Sequence, residues 1–138
     1  MGQITWKESY SIGITVIDDQ HKILIGLINE LYEAQRHGTG QLIVGEVLKK
    51  LTDYTIYHFT MEEEMLFKNM FPQLDEHKKE HLGFIENLTA LQKDADRNNL
   101  LLTLKTLNFL KDWTITHILG SDREYADYLR DKENPVAL

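Results

Sequence analysis

The sequence HKKEHLGFIENL, residues 77–88, carries the pattern that decides the fold. Its His77, His81, Phe84 and Leu88 recur at intervals of three and four residues, which places them on one face of a helix. The charged residues of the stretch fall at the other positions. The stretch therefore predicts an amphipathic helix whose buried face carries two histidines one turn apart.

The same helical period recurs before and after this stretch. It predicts helices over residues 19–37, 41–68, 74–94 and 99–119, and a helical C-terminal segment over residues 121–132. Asp18 or Asp19 is expected to cap the first helix and Gly38 to end it in the left-handed conformation. Pro72 cannot continue a helix, so we expect a break between the second and third helices.

Residues 1–18 precede the first helix and contain aromatic and aliphatic residues that could pack on it. The alternation of Ile12, Ile14 and Val16 is also typical of a strand, but no second strand pattern follows to pair with it. We therefore predict an extended arm laid across the helices. The expected fold is all-α: a single domain over residues 1–138, built as an up-down-up-down antiparallel four-helix bundle with this arm and a short C-terminal helical extension.

Composition narrows the classes of function. The net charge of −7 disfavours nucleic acid and anionic membranes as partners, because both require clustered lysine and arginine. Cysteine is absent, which excludes disulfides, thiolate metal sites and iron–sulfur clusters. Since the sequence contains neither a signal-peptide pattern nor an apolar run of membrane-spanning length, we expect a cytoplasmic protein, although a domain cut from a larger protein would look the same.

Five of the six histidines fall on the predicted buried faces. They are His21 on the first helix, His58 on the second, His77 and His81 on the third, and His117 on the fourth. Glu62 follows His58 by four residues and so shares its face. All four helices therefore direct imidazole groups into the same interior.

A single histidine on an apolar face is usually a core residue with one hydrogen bond. Five histidines and a carboxylate in one small core are different, because unpaired polar groups and like charges are costly there. A bound metal removes both costs, and nitrogen and oxygen ligands without thiolate suit iron, manganese, copper or zinc. Five histidines exceed what one tetrahedral zinc ion holds, so we expect two metals.

Asp122 follows His117 by five residues, in HILGSD (residues 117–122), whereas helical neighbours are separated by four. In a regular helix its carboxylate would point away from the histidine. A π-bulge or a kink near Gly120 would bring it between two metals. The alternative is an exposed cap for the last segment, a role that Ser121 could equally fill.

Four motifs together resemble the hemerythrins, in particular the bacterial single-domain members: DDQHK (18–22), HFTMEEEM (58–65), HKKEH (77–81) and HILGSD (117–122). The resemblance extends from Trp6 to about Leu129 and implies a non-haem di-iron centre. It implies that His77, His81 and His117 hold one iron and that His21 and His58 hold the other. Glu62 and Asp122 would bridge the two, together with an oxo or hydroxo group.

The resemblance also implies a function. If each iron takes six ligands, the imidazoles, the two carboxylates and the oxygen bridge leave one position open, on the iron held by His21 and His58. Dioxygen would bind there reversibly as hydroperoxide, in a pocket to which we assign Leu24, Trp113, Thr114 and Ile118. Thr114 departs from the family, which usually has a leucine after this tryptophan. Its hydroxyl could bond back to the carbonyl of Leu110, or a smaller and more polar residue could admit water and speed autoxidation.

Other polar and sulfur-containing residues are interpreted as structural. Glu63 and Glu64 are predicted to be solvated and His37 to lie at the surface, while Met61, Met65 and Met70 are interpreted as core residues. The leading hypothesis is a monomeric dioxygen-binding protein for storage, delivery or scavenging, and not an enzyme. The alternatives are an oxygen or redox sensor domain excised from a signalling protein, and a weak di-iron peroxidase or oxidase.

Overall fold

The computed structural model describes residues 3–37, 41–97 and 103–131, with only the backbone of residues 41 and 42. Its helices are α1 (Thr15–Arg36), α2 (Gln41–Lys68), α3 (Leu74–Asp96), α4 (Leu104–His117) and α5 (Arg123–Asp131). A 3₁₀ turn at Glu8–Tyr10 precedes α1, and a π-helical turn at Ile118–Asp122 joins α4 to α5. No strand occurs within these ranges, so the all-α class is confirmed.

The helices form a four-helix bundle in which neighbours in sequence run antiparallel. The start of α1 lies beside the end of α2, where the rings of His21 and His58 are 5.0 Å apart. The end of α1 lies beside the start of α4, where the Tyr32 hydroxyl donates to Asn108 Oδ1 at 2.7 Å. α1 packs on α2 and α4, and α2 packs on α3. None of the described helices combines the length and the hydropathy needed to cross a membrane.

The first helix begins earlier than its sequence suggests. α1 starts at Thr15, and Ile14 precedes it without a capping side chain, so the prediction that Asp18 or Asp19 caps this helix is wrong. Asp18 instead binds the arm, because its carboxylate accepts hydrogen bonds from Ser11 Oγ and, at 2.9 Å, from Ile12 N. The predicted end at Gly38 lies outside the described residues.

The start of α4 differs from the prediction, whereas α2 ends at Lys68 as predicted. α4 begins at Leu104 and not near Asn99, because the Thr103 hydroxyl caps it by accepting from Thr106 N at 3.1 Å. Residues 98–102 lie outside the described part.

α2 ends before Pro72, in a motif where Met70 has a left-handed φ of 56° and Phe71 N donates to Leu66 O at 3.0 Å. Met70 is therefore 76% exposed, which contradicts its predicted place in the core.

The arm and the core follow the predicted pattern in most positions. Trp6 and Tyr10 pack on the larger of two apolar clusters, which includes Ile28, Leu51 and Leu110. Ile12 and Ile14 pack on a smaller cluster, which includes Ile17, Leu66, Phe71 and Tyr125. Val16 is an exception among the expected anchors, since it is 39% exposed on the outer face of α1. Along each bundle helix, the polar residues of the predicted outer face lie between the positions that contribute side chains to these two clusters.

Candidate metal centre

The structure brings all seven predicted ligands together at the end of the bundle where α1 begins and α2 ends. Each is at most 6% exposed. α1 supplies His21, α2 supplies His58 and Glu62, α3 supplies His77 and His81, α4 supplies His117, and the π-helical turn supplies Asp122. The spacing of three and four residues on α1, α2 and α3 is what turns these side chains inward with the apolar core.

The seven side chains fall into two groups that share a carboxylate. In one group, ligand atoms of Glu62, His77, His81, His117 and Asp122 all lie within 4.8 Å of one another. In the other, ligand atoms of His21, His58 and Glu62 do so. We call these the three-histidine group and the two-histidine group.

Glu62 directs one carboxylate oxygen to each group. Its Oε1 lies 2.8 Å from His77 Nε2 and 3.0 Å from His81 Nε2. Its Oε2 lies 3.3 Å from His58 Nε2. A carboxylate in this orientation can bind two metals at once, one through each oxygen.

Asp122 has the same arrangement. Its Oδ1 lies 3.1 Å from His117 Nε2 and 3.2 Å from His77 Nε2, and its Oδ2 lies 3.0 Å from His21 Nε2. The π-helical turn explains how a residue five positions after His117 returns to the same side, because each π turn holds one more residue than an α turn. The predicted distortion near Gly120 is confirmed, and Asp122 is buried and not an exposed cap.

The protonation of the two carboxylates and two of the histidines is coupled. Burial alone would raise the pKa of Glu62 and of Asp122, but the facing histidines hold both pKa values well below the usual range. Burial alone would lower the pKa of His77 and His117, but Glu62 and Asp122 raise these pKa values to about 9 and about 10. The site therefore favours negative carboxylates matched by positive charge.

Several of these buried atoms lack a hydrogen bond of acceptable geometry within the described residues. They are both ring nitrogens of His21 and both carboxylate oxygens of Asp122. The Asp122 Oδ2 to His21 Nε2 contact of 3.0 Å is thus a close approach without hydrogen-bond alignment. Buried polar atoms without partners are costly, and metal coordination would satisfy them. The residues present therefore fit a metal centre with nitrogen and oxygen ligands.

Three polar residues form hydrogen bonds with the Nδ1 atoms of three candidate histidine ligands, whose Nε2 atoms face the centre. His58 Nδ1 pairs with Gln20 Oε1, His81 Nδ1 with Glu63 Oε2 at 2.7 Å, and His117 Nδ1 with Glu80 Oε1 at 3.0 Å. Such contacts fix the orientation of a ligating imidazole. No helical period indicated these three contacts, and the prediction that Glu63 is a solvated acid is wrong.

A tyrosine on α5 completes the polar contacts of the centre. The hydroxyl of the fully buried Tyr125 donates to Glu62 Oε2 at 2.8 Å. Burial and the nearby carboxylate of Glu62 raise the pKa of Tyr125 well above 10, so the hydroxyl keeps its proton. Tyr125 lies three residues after Asp122, and that spacing was the signal by which the sequence could have indicated it.

Beside the two-histidine group lies a cavity of about 10 Å³, roughly the space needed by one water-sized molecule. All four predicted pocket residues, Leu24, Trp113, Thr114 and Ile118, line it. So do His21, His58, His117 and Asp122, and the rest of its wall is mostly apolar and aromatic. The Thr114 hydroxyl donates to Leu110 O at 2.8 Å, which is the structural alternative considered for this residue and leaves the cavity wall less polar.

His37 lies apart from this centre, as predicted. Its side chain is 60% exposed, and its Nε2 lies 2.9 Å from Glu33 Oε2 at the end of α1. Glu64 is also exposed, in agreement with its predicted solvation.

Comparison with known proteins agrees with the geometry of the centre. Residues 12–129 match the family model described as the hemerythrin HHE cation binding domain. The chain is 34% identical to a bacteriohemerythrin of Stenotrophomonas maltophilia, over 99% of this chain and 88% of that protein. It is 32% identical to a hemerythrin-like protein of Naegleria gruberi, over 90% of this chain and 92% of that protein.

Solved structures give the same result. A wild-type hemerythrin superimposes with a TM-score of 0.83 at 28% identity, covering 90% of this chain and 95% of the other. A hemerythrin with a leucine-to-alanine mutation superimposes with a TM-score of 0.85 at 29% identity, covering 92% and 97%. Since the family model spans most of the chain, and the fold and the clustered histidines and acids agree with it, this chain belongs to the hemerythrin family.

Proposed function

We propose that this chain holds two iron ions and binds dioxygen reversibly at one of them. One observation carries the proposal: Glu62 and Asp122 each direct one oxygen to the three-histidine group and the other to the two-histidine group. Paired carboxylates of this kind hold two metals close together. We assign His77, His81 and His117 to one iron and His21 and His58 to the other, with Glu62, Asp122 and an oxo or hydroxo group as bridges.

The donor set supports iron. The candidate ligands offer imidazole nitrogens and carboxylate oxygens without thiolate, a combination that suits non-haem iron. When bound, two ferrous ions supply the electrons that a reversible reaction with dioxygen requires. We infer an oxygen-binding protein and not an enzyme, acting as a monomer in the cytoplasm.

The protein orients the candidate ligands and keeps water away from the cavity beside them. Gln20, Glu63 and Glu80 orient three of the histidines from behind, and the Tyr125 hydroxyl donates to Glu62. Because the cavity beside His21 and His58 is lined mainly by apolar and aromatic side chains, we infer that dioxygen occupies this cavity. Apolar walls also exclude the water and protons that would end reversible binding.

Metal analysis and visible spectroscopy test the proposal. We expect about two irons per chain and a new visible charge-transfer band when the reduced protein meets air. The band should disappear when dioxygen is removed under inert gas. A protein purified with zinc alone, or a reduced iron form whose spectrum ignores dioxygen, would contradict the proposal.

A further inference from the structure

The candidate metal centre is closed to solvent, so its cations need a route inward. A surface pocket of about 260 Å³ lies next to it, between the start of α3 and the segment formed by the π-helical turn and the start of α5. Three carboxylates line this pocket, those of Glu76, Glu80 and Glu124, together with Ser121 and His77. We propose that this acidic pocket is the uptake site for divalent cations, which pass from it to the centre by way of His77; the inference rests on the proposed di-iron function.

His77 is the observation that separates this pocket from an ordinary acidic surface. Its side chain is only 2% exposed, and its Nε2 faces inward to Glu62 and Asp122. Its Nδ1 is on the other edge of the ring and has no hydrogen-bond partner among the described residues, unlike that of His58, His81 or His117. His21 Nδ1 also lacks a partner, but His21 does not line this pocket, whereas His77 forms part of its wall. An imidazole without an outer partner is less costly to rotate than one that is held from behind.

The lining of the pocket contains three glutamates and neither lysine nor arginine, while His77 and His117 place positive charge only on its inner side, beside Glu80. Arg123 is the basic residue beside Glu124, but its guanidinium donates to the backbone carbonyls of Ser9 and Ser11 in the arm. Glu80 accepts from Ser121 Oγ at 2.7 Å and contacts His117 Nδ1, yet its side chain is still 44% exposed. Clustered carboxylates at a concave surface raise the local concentration of cations and speed their association.

Three other cavities of the described structure do not offer the same route. The larger pockets beside the arm and beside the end of α1 contact none of the seven candidate ligands. The cavity beside His21 and His58 does contact ligands, but its apolar wall suits a neutral molecule and not a hydrated cation. The apolar cavity therefore suits a neutral molecule, and the acidic pocket suits a cation.

The test measures ferrous iron uptake by the metal-free protein under anaerobic conditions. Iron is stripped from the purified protein by a chelator, Fe²⁺ is added back, and bound iron is counted after quenching with excess chelator. The variant is Glu76→Gln/Glu124→Gln, which leaves Glu80 and every candidate ligand in place. The matched control is Glu86→Gln/Asp94→Asn. Both acids are exposed on α3 and lie outside the pocket, and their substitution changes the net charge by the same amount.

We expect the uptake rate of the pocket variant to fall roughly five-fold or more, while its final iron content stays that of the unchanged protein. The control should stay within about two-fold of the unchanged protein, since steering depends on local charge. Equal rates in the pocket variant and the unchanged protein, or an equal loss in the control, would overturn the uptake site alone. An unchanged protein that binds no iron would overturn the proposed function as well.

Discussion

Thr114 is the residue at which this chain departs from the leucine expected in the family. It is 5% exposed, and its hydroxyl is satisfied by the carbonyl of Leu110. The polarity of the hydroxyl therefore has little influence on the cavity, and the remaining difference from leucine is volume. A smaller side chain beside His21 and His58 would leave more room for water to approach the open position of the proposed iron centre.

We expect Thr114→Leu to lengthen the lifetime of the oxygenated form. A barrier to autoxidation raised by about 0.7 kcal/mol corresponds to a lifetime about three-fold longer. The decay of the visible band in air-saturated buffer measures it. Thr114→Val is the matched control, because it removes the hydroxyl and keeps the volume, and its lifetime should stay close to that of the unchanged protein. An unaltered lifetime in Thr114→Leu would contradict the role of side-chain volume. An equal lengthening in Thr114→Val would show that the polarity of the hydroxyl causes the effect.

Tyr125 gives a second prediction, on stability. Tyr125→Phe removes the donor to Glu62, a charged acceptor in a fully buried place, so the free energy of unfolding of the metal-free protein should fall by about 1.5–3 kcal/mol. Urea denaturation followed by circular dichroism measures the loss. Tyr128→Phe is the control, because that hydroxyl donates to backbone carbonyls of Asn69 and Met70 near the surface, and its loss should be about 1 kcal/mol or less. Equal losses in the two variants would show that the charge on Glu62 is irrelevant.

Residues that face the bundle axis were predictable, and residues that reach it from the side were not. His21, Glu62 and the other inward groups follow the apolar period of their own helices, and Asp122 was placed through the family resemblance. Glu63 lies beside that stripe on α2 and contacts His81 on α3, so its role depends on how two helices pack. Periodicity within one helix contains no information on such contacts.

The π-helical turn is the element on which the centre depends. It places Asp122 beside His117, and it also sets the rotation of α5, which buries Tyr125, Ala126 and Leu129. Gly120 lies within this turn, but the turn does not require glycine at that position. The φ of Gly120 is ordinary, and no atom lies within 4 Å of a Cβ added to it. The turn is therefore maintained by the contacts at its two ends.

Deleting Gly120 should convert the π turn into a regular α turn. The deletion would rotate everything after it by about 100°, which removes Asp122 from the centre and turns α5 away from the core. We expect the iron content to fall below about two per chain and the melting temperature to drop. Gly120→Ala should keep both, with a slight gain in stability from higher helix propensity. Full iron content after the deletion would show that the turn does not position a ligand.

At this scale the sequence predicted the existence of the helices better than their ends. The start of α1 at Thr15 was not predicted, because Asp18 and Asp19 are good capping residues. In the structure the carboxylate of Asp18 instead accepts hydrogen bonds from the arm. The position of Met70 was missed because a left-handed helix end needs no glycine when the side chain can point to solvent. The first error comes from a contact with the arm, and the second from the backbone conformation at the helix end.

In the whole molecule the candidate metal centre separates two apolar clusters. The larger cluster includes Leu24, Phe59 and Phe84, and the smaller one includes Ile17, Phe71 and Tyr125. α1, α2 and α3 contribute to both clusters, and α4 is connected to the smaller one through the π-helical turn and α5. A metal bound at this centre would therefore join the two clusters, and its binding free energy would add to the stability of the folded bundle.

The stability gained from metal should depend on pH, with a sign that follows from His77 and His117. In the metal-free protein their pKa values are about 9 and about 10, above the ordinary value of 6.5. A raised pKa contributes stability that is fully present below pH 6.5 and is lost as pH rises through 9 and 10. In the loaded protein both imidazoles bind metal in their neutral form, so this loss does not occur.

We therefore expect the difference in melting temperature between loaded and metal-free protein to widen from pH 6.5 to pH 10. Glu62 and Asp122 do not alter this trend, because their pKa values are lowered and both stay ionised throughout the range. Thermal unfolding of the two forms in matched buffers, with a chelator in the metal-free samples, measures the difference. A constant or narrowing difference over this range would mean that His77 and His117 are already neutral in the metal-free protein, and that the carboxylates of the centre do not hold protons on them.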